Sequence, residues 1–259
     1  MSGRVAQHTT RILPALVAFI LVAVIWQIAA VNTQSVIPTL GAIVSALTGN
    51  AGLLWRNGLD TLQEALVGLA AGFSAAFLLA VAMTEVRIIE RALMPLAVVV
   101  NVTPLVAIAP ALVIPFGFGY APKYILTAII VFFPFLVNAS IGLRSVDRET
   151  LDVFSSLSAS RLEELWRLRI PSSLPYLFSA ARICFPLSVV GAVVAEFTAS
   201  GFTQGLGLLV LKQAATNALG LEFAAIFCLA MMGIMFTAVV SIAERRLLRW
   251  HSSARSHLL

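Results

Sequence analysis

Little in this chain is equipped to break a covalent bond. The three histidines, His8, His251 and His257, lie in the tails, and the three aspartates, Asp60, Asp147 and Asp152, lie between apolar stretches or at their ends. No His/Cys/Asp set has metal-ligand spacing, and no nucleophile has a base placed to activate it. Gly201 and Gly205 are spaced like two glycines of a phosphate-binding loop. Leu206 and Gly207, however, stand where that loop needs Lys and Ser/Thr, so this chain is not expected to bind ATP. Two polar features remain: a charged segment over 147–170, and Glu196 inside an apolar run. The first offers surface for a partner. The second is a carboxylate where ionisable groups are expensive and mark function by default.

The elements that position these features are set by composition. Of 259 residues, 60% are hydrophobic and 11% charged, and the mean hydropathy is +0.98. A soluble domain carries about 25% charged residues, so both a soluble globule and a disordered chain are excluded. Two cysteines, Cys184 and Cys228, both in apolar runs, exclude a disulfide scaffold. A bilayer core about 30 Å thick needs about 20 apolar residues per helix. Six stretches qualify, at about 12–31, 65–84, 92–115, 124–143, 175–199 and 223–243, with a turn near Gly117–Gly119 closing the third. The expectation is an all-α, polytopic membrane protein built as one domain over 1–259, with no nucleic-acid partner. The net charge of +5 holds cytoplasmic loops in place. The first stretch, longer than the roughly 7–15 apolar residues of a signal peptide, reads as a retained span.

Orientation follows from the basic residues. With the N-terminus inside, the inner segments hold Arg4, Arg11, Arg87, Arg91, Arg144, Arg148, Arg161, Arg167, Arg169, Arg245, Arg246, Arg249 and Arg255. The outer segments hold only Arg56, Lys123 and Lys212, and Arg182 lies where it can snorkel to the inner face. Both termini are expected in the cytoplasm. A short helix is expected at the outer surface between Pro38 and Gly49, and a Gly-rich outer loop over 200–221.

The inner segment 147–170 carries most of the signal. Leu151, Phe154 and Leu157 recur at helical spacing. Ser160 and Glu163 have capping-box spacing, so a second short helix is expected to start at Ser160 with Leu162, Leu165 and Trp166 on its apolar face. Arg167 and Arg169 suit its last turn, and Pro171 and Pro175 are expected to end it. Such a helix–turn–helix either packs on headgroups or forms a knob for a soluble partner.

This segment resembles the EAA loop of permease subunits of binding-protein-dependent ABC importers. The family pattern Glu-Ala-Ala, three residues, Gly, nine residues, Ile-x-Leu-Pro falls on Asp152-Val153-Phe154, Ser158 and Leu168-Arg169-Ile170-Pro171. Ala159-Ser160-Arg161 matches the residues that often follow the Gly. Ser158 in place of Gly implies either that the bend needs no positive φ or that its geometry differs. Asn57–Leu62 with Gly68 and Gly72, Asn101–Pro110, Phe132–Pro134 with Asn138, and Val190–Phe197 with Gly205-Leu206-Gly207 extend the resemblance over nearly the whole chain. It is closest to importers of nitrate, sulfonates, taurine or pyrimidine thiamine precursors. Ala121-Pro122-Lys123 and 142–147 favour the last.

The resemblance implies a division of labour. Separate ATPase subunits would hold ATP–Mg and grip the knob through Asp152, Ser158, Ala159, Ser160, Arg161, Leu162, Glu163 and Pro171. No cofactor belongs to this chain. An extracytoplasmic binding protein would deliver substrate, and a second permease copy, as a homodimer, would complete the path in the lipid of the inner membrane.

Path candidates come from the residues. Asn101, Thr103 and Asn138 are polar groups in apolar spans and serve either as interhelical hydrogen bonds or as substrate ligands. Glu196 is either a gating or path residue or a structural one, paired with a backbone donor, a neighbouring span or Arg182. Arg182 and Glu196 are fourteen residues apart, about 21 Å along a helix, so they do not pair within one straight helix. Two rival classes are weighed. An ion-coupled secondary carrier would show acids and broken helices at matched positions in two repeats, and no repeat is found. A membrane enzyme would need the chemistry that is missing.

Overall fold

Pro104 divides what the hydropathy pattern presents as one span. In the computed structural model, which describes residues 2–33, 36–198 and 204–248, the stretch 92–115 is two helices, α4 (Arg87–Val102) and α5 (Leu105–Phe116). Thr103 between them is extended (φ −66°, ψ 130°) because a residue before proline is driven from the helical region. At about 24 and 18 Å, neither half alone matches a hydrocarbon core of about 30 Å. The expected turn follows, with Gly117 and Gly119 at φ +70° and +136°.

The other helices are α1 (Ser2–Asn32), α2 (Leu40–Gly49), α3 (Ala51–Glu85), α6 (Tyr120–Leu143), α7 (Arg148–Ser156), α8 (Arg161–Glu164), α9 (Ile170–Thr198), α10 (Leu206–Ala215) and α11 (Leu219–Leu247). No strand occurs among the described residues. Four helical runs are long and apolar enough to cross a membrane: α3, α6, the run Arg161–Thr198 that contains α9, and α11. The expected short helix is α2, N-capped by Thr39 and tied to α1 through Trp26 Nε1 donating to Pro38 O at 3.1 Å.

Pro171 and Pro175 do not end the helix of the knob, as expected from sequence. A π turn, Leu165–Arg169, joins α8 to α9 without a break, with Ile170 N–H bonding back five residues to Leu165 O. The wider turn takes the Arg167 carbonyl out of the path of the Pro171 ring, so the missing donor ends nothing.

Helices α3, α6 and α9 pack most closely. Gly68 and Gly72 of α3 lie against Thr127, Ala128 and Val131 of α6; a Cβ on Gly72 would stand 2.6 Å from the Ala128 carbonyl oxygen. Small residues let membrane helices approach to backbone contact. Toward the knob, the interior is apolar: Phe73 stacks on Phe135 at 3.9 Å between centroids, over Met83, Leu136, Leu143 and Cys184, with Phe132 and Phe133 packed against this core.

Candidate functional site

The knob is built from two caps set back to back. Asp147 accepts from Thr150 N–H at 2.7 Å and starts α7. Helix α7 ends in a Schellman motif: Ala159 N–H reaches Phe154 O at 3.1 Å, and Ser158 N–H reaches Ser155 O at 3.0 Å. Ser158 therefore stands at φ +55°, the conformation glycine favours. The bend does require a positive φ, and Ser158 supplies it without glycine. The expected capping box at Ser160 forms with both bonds, Glu163 N–H to Ser160 Oγ at 3.3 Å and Ser160 N–H to Glu163 Oε2 at 3.0 Å. The donors of Ser160 hold the Glu163 carboxyl below its ordinary range, and Thr150 does the same for Asp147.

The knob turns an apolar strip outward. Leu157 is 73% exposed, and Leu162 and Trp166 are each 64% exposed. Asp152, Arg161 and Glu163 border it as exposed charges, Ala159 is half-buried in the bend, and Pro171 is half-buried at the start of α9. Arginines fasten the knob to the bundle. Arg169 donates to Glu164 Oε1 at 2.7 Å and to Leu143 O, at the C-terminus of α6, at 3.3 Å. It serves the dipole of α6, rather than a last turn of its own helix as expected. Arg144 pairs with Glu90 and donates to Met83 O, near the end of α3, at 2.7 Å. Arg161 stands 3.8 Å from Glu85.

At the opposite end of α3 lies a polar cluster cut off from solvent. Glu196 is fully buried; it accepts from Thr61 Oγ1 at 2.6 Å and from Leu208 N–H at 3.1 Å. Thr61 Oγ1 accepts from Leu206 N–H at 2.8 Å, and Asn57 Oδ1 accepts from Gly205 N–H at 3.0 Å. Asn57 and Thr61 of α3, together with Glu196 of α9, thus cap the N-terminus of α10, where a helix presents orphan donors and favours negative charge. Gly205, at φ +155°, and Gly207 are required here, since a Cβ on either would run into the Glu196 carboxylate. Lys123 donates to Glu64 Oε1 at 2.7 Å, both side chains being 0% exposed, and reaches Gln204 O at 3.4 Å. Gln63 bonded to Tyr124, and Tyr120 bonded to Asp60, lie beside it on the exposed faces of α3 and α6.

Several candidates fall elsewhere than expected. Lys123, read from sequence as an outer-loop cation, is inside the bundle. Arg182 pairs with Glu244 of α11 at 2.6 Å rather than only snorkelling. Thr103 donates to Val99 O at 2.8 Å and Asn138 to Pro134 O at 2.8 Å, each bonding its own helix and, among the described residues, no neighbouring span. The Asn101 side chain, Gly201, Arg249, Arg255, His251 and His257 lie outside the described residues. Sequence reasoning missed Glu64 because the second span was begun at Ala65, and Lys123 because the fourth was begun at Tyr124, whereas α6 starts at Tyr120. The available signal was the stripe Asn57, Thr61, Glu64, Gly68, Gly72, which puts polar and then small residues on one face of α3.

Residues 68–249 match the family model described as "binding-protein-dependent transport system inner membrane component". A probable ABC transporter permease of Haemophilus influenzae is 32% identical over 86% of this chain and 92% of its own. The formylaminopyrimidine transport permease ThiX of Halalkalibacterium halodurans is 31% identical over 90% of this chain and 93% of its own. The riboflavin transport permease RibX of Chloroflexus aurantiacus is 32% identical over 79% and 75%. Among solved structures, an inward-facing MetNI methionine ABC transporter matches at a TM-score of 0.64 and 16% identity, covering 77% of this chain and 96% of that one, a likeness of fold. The family match over more than half of the chain, with relatives above 30% identity along most of its length, makes this chain a member of the binding-protein-dependent transport system inner membrane component family, the permease subunits of ABC importers.

Proposed function

We propose that two copies of this chain enclose the path of a small polar solute through the inner membrane, and that separate ATPase subunits drive it by gripping 147–170. The observation that carries the reading is the knob: a doubly capped, arginine-fastened element whose apolar strip of Leu157, Leu162 and Trp166 is left uncovered. An exposed apolar patch rimmed by charge is what a soluble partner covers. Asp152, Ser158, Ala159, Ser160, Arg161, Leu162, Glu163 and Pro171 shape or border it. ATP–Mg belongs to the ATPase pair, and a binding protein delivers solute at the face opposite the knob. Both termini are cytoplasmic on this reading.

The solute is of the nitrate, sulfonate, taurine or pyrimidine-precursor kind, with a planar nitrogen heterocycle the first to test. Relatives at 31% and 32% identity carry the names of formylaminopyrimidine and riboflavin permeases, against 27% for sulfonate and taurine and 22% for nitrate. Glu196 is fully buried and bonded within the protein, so any contact it makes with solute belongs to another state of the cycle, whereas Thr103 and Asn138 each spend one donor on their own helix and keep capacity for solute. Asn101 remains a path candidate from the sequence alone.

The test is uptake into sealed vesicles carrying the chain with its ATPase and binding protein. Uptake of a formylated aminopyrimidine is expected to need ATP and to continue with ionophores present. Uptake abolished by ionophores while ATP is supplied would establish an ion-coupled carrier instead.

A further inference from the structure

Two halves of one helix bundle are held in chemically different ways. Near the knob α3, α6 and α9 meet in an apolar core with no fully buried charge among the described residues, edged by Arg144 and Arg169. The far half joins the same three helices through Glu64, Lys123 and Glu196, all fully buried. One ammonium lies among two buried carboxyl groups there, bonded to Glu64 Oε1 and not to Glu196, and Glu64 Oε2 is buried without a hydrogen-bond partner. A buried ion pair seldom holds helices together better than well-packed hydrophobic residues would. The knob half brings the same helices together without a buried charge, so close packing by itself does not call for one in the far half.

What the charges do hold is α10. Its first donors end on Asn57, Thr61 and Glu196, and the chain entering it is bonded to Lys123 through Gln204 O. The helix is flanked by two residues in the left-handed region, Gly205 at φ +155° and Asn217 at φ +54°. Polar bonds are directional and can be exchanged for others, whereas a zipped apolar face cannot slide without opening a void.

We propose that Lys123 and Glu64 are positioning residues for transport: their buried pair, acting through Glu196 and Gln204, fixes the orientation of α10 against α3 and α6. Lys123 neutralises a site that otherwise holds two facing carboxyl groups, and so keeps Glu196 aligned on the α10 donors. The proposal rests on the chain being a permease, but its primary readout requires no transport.

The experiment labels the assembled complex, permease with ATPase, with spin labels at Arg56 of α3 and Lys212 of α10, both exposed. The distance between them is read by pulsed electron resonance. The parent complex is expected to give one narrow distribution without nucleotide. K123M is expected to broaden or shift it by more than about 5 Å, beyond the fluctuation of a packed helix. The double variant E64L/K123M removes the unpaired charge. It is expected to restore the amount of complex in the membrane while leaving the distribution broad and lowering the maximal uptake rate at least tenfold, with little change in the half-saturating solute concentration. K123R, which keeps the cation, is expected to restore a narrow distribution. A narrow parent-like distribution with parent-like uptake in E64L/K123M overturns the proposal. Failure of both methionine variants to assemble also overturns it, by assigning the pair to folding alone. Absence of uptake in the parent, with the distances behaving as described, would count against the permease reading and leave the positioning role standing.

Discussion

The knob and the buried cluster solve the same problem by opposite means. Both satisfy the orphan donors at a helix N-terminus with side-chain oxygens. In the knob the cap lies three residues from the donor it serves, as with Ser160 and Glu163, and water surrounds it. In the cluster the cap on Leu206 comes from Thr61, 145 residues away, and no water reaches it. An exposed local cap shapes a segment that holds its form under a partner's grip, and its loss is softened by solvent. A buried remote cap joins elements that share no sequence neighbourhood, and its loss strands charge in a medium that does not solvate it.

The contrast is broken most severely by Glu196→Ala. It strips Leu208 N–H and Thr61 Oγ1 of their acceptor and removes a buried carboxylate beside the Lys123–Glu64 pair. A cost of about 3–5 kcal/mol is expected, the range for breaking a buried charged network. A melting temperature of the detergent-purified chain close to the parent's would mean that Glu196 does not anchor α10.

A second, smaller blow falls on the other region. Leu162→Asp, or Arg161→Glu, is expected to leave the melting temperature unchanged while reducing retention of the ATPase in co-purification at least tenfold, about 1.4 kcal/mol of association. Leu162 is exposed and touches no core, and the Arg161–Glu85 pair is a surface contact worth little by itself. Parent-like retention would mean the apolar strip docks nothing.

Finer tests stay inside the knob. Ser160→Ala is expected to destabilise it by about 1 kcal/mol, the usual worth of an N-cap. Ser158→Gly is expected to stabilise it by up to about 1 kcal/mol, because the left-handed conformation strains a side chain. Amide exchange of 150–164 reads both, with opposite signs. The smallest effect is that of pH. Asp147 and Glu163 have folded values below their ordinary ones, so their stabilisation is present at neutral pH and lost as pH falls through those folded values. Protection of the knob amides, taken relative to the unstructured rate at each pH, is expected to fall from about pH 4 downward, where unperturbed carboxylates begin to protonate. Protection that rose on acidification would reverse the assignment.

What the sequence discloses follows the same division. The capping box at Ser160, the glycine turn at 117–119 and the limits of α6 are written within a few residues of where they act, and could be read directly. Pro104 was legible only as one of several prolines. That it breaks a helix while Pro134 and Pro186 do not depends on whether neighbouring helices and local turns re-satisfy the freed groups. Pro171 was misleading for the same reason, since the π turn before it absorbs the clash. Lys123 could not be found at all by counting charges: its partner Glu64 is 59 residues away and stands one residue before the first apolar position of its span.

The π turn has a mechanical corollary. Because it joins Arg161 to Thr198 in one uninterrupted run, the part that a motor would grip and the carboxylate that anchors α10 ride on a single axle. At 38 residues, that axle is about 57 Å long. Tilting it by roughly 5° at one mouth would sweep the other by some ~5 Å, the width of a small solute, with no relay of side chains between them.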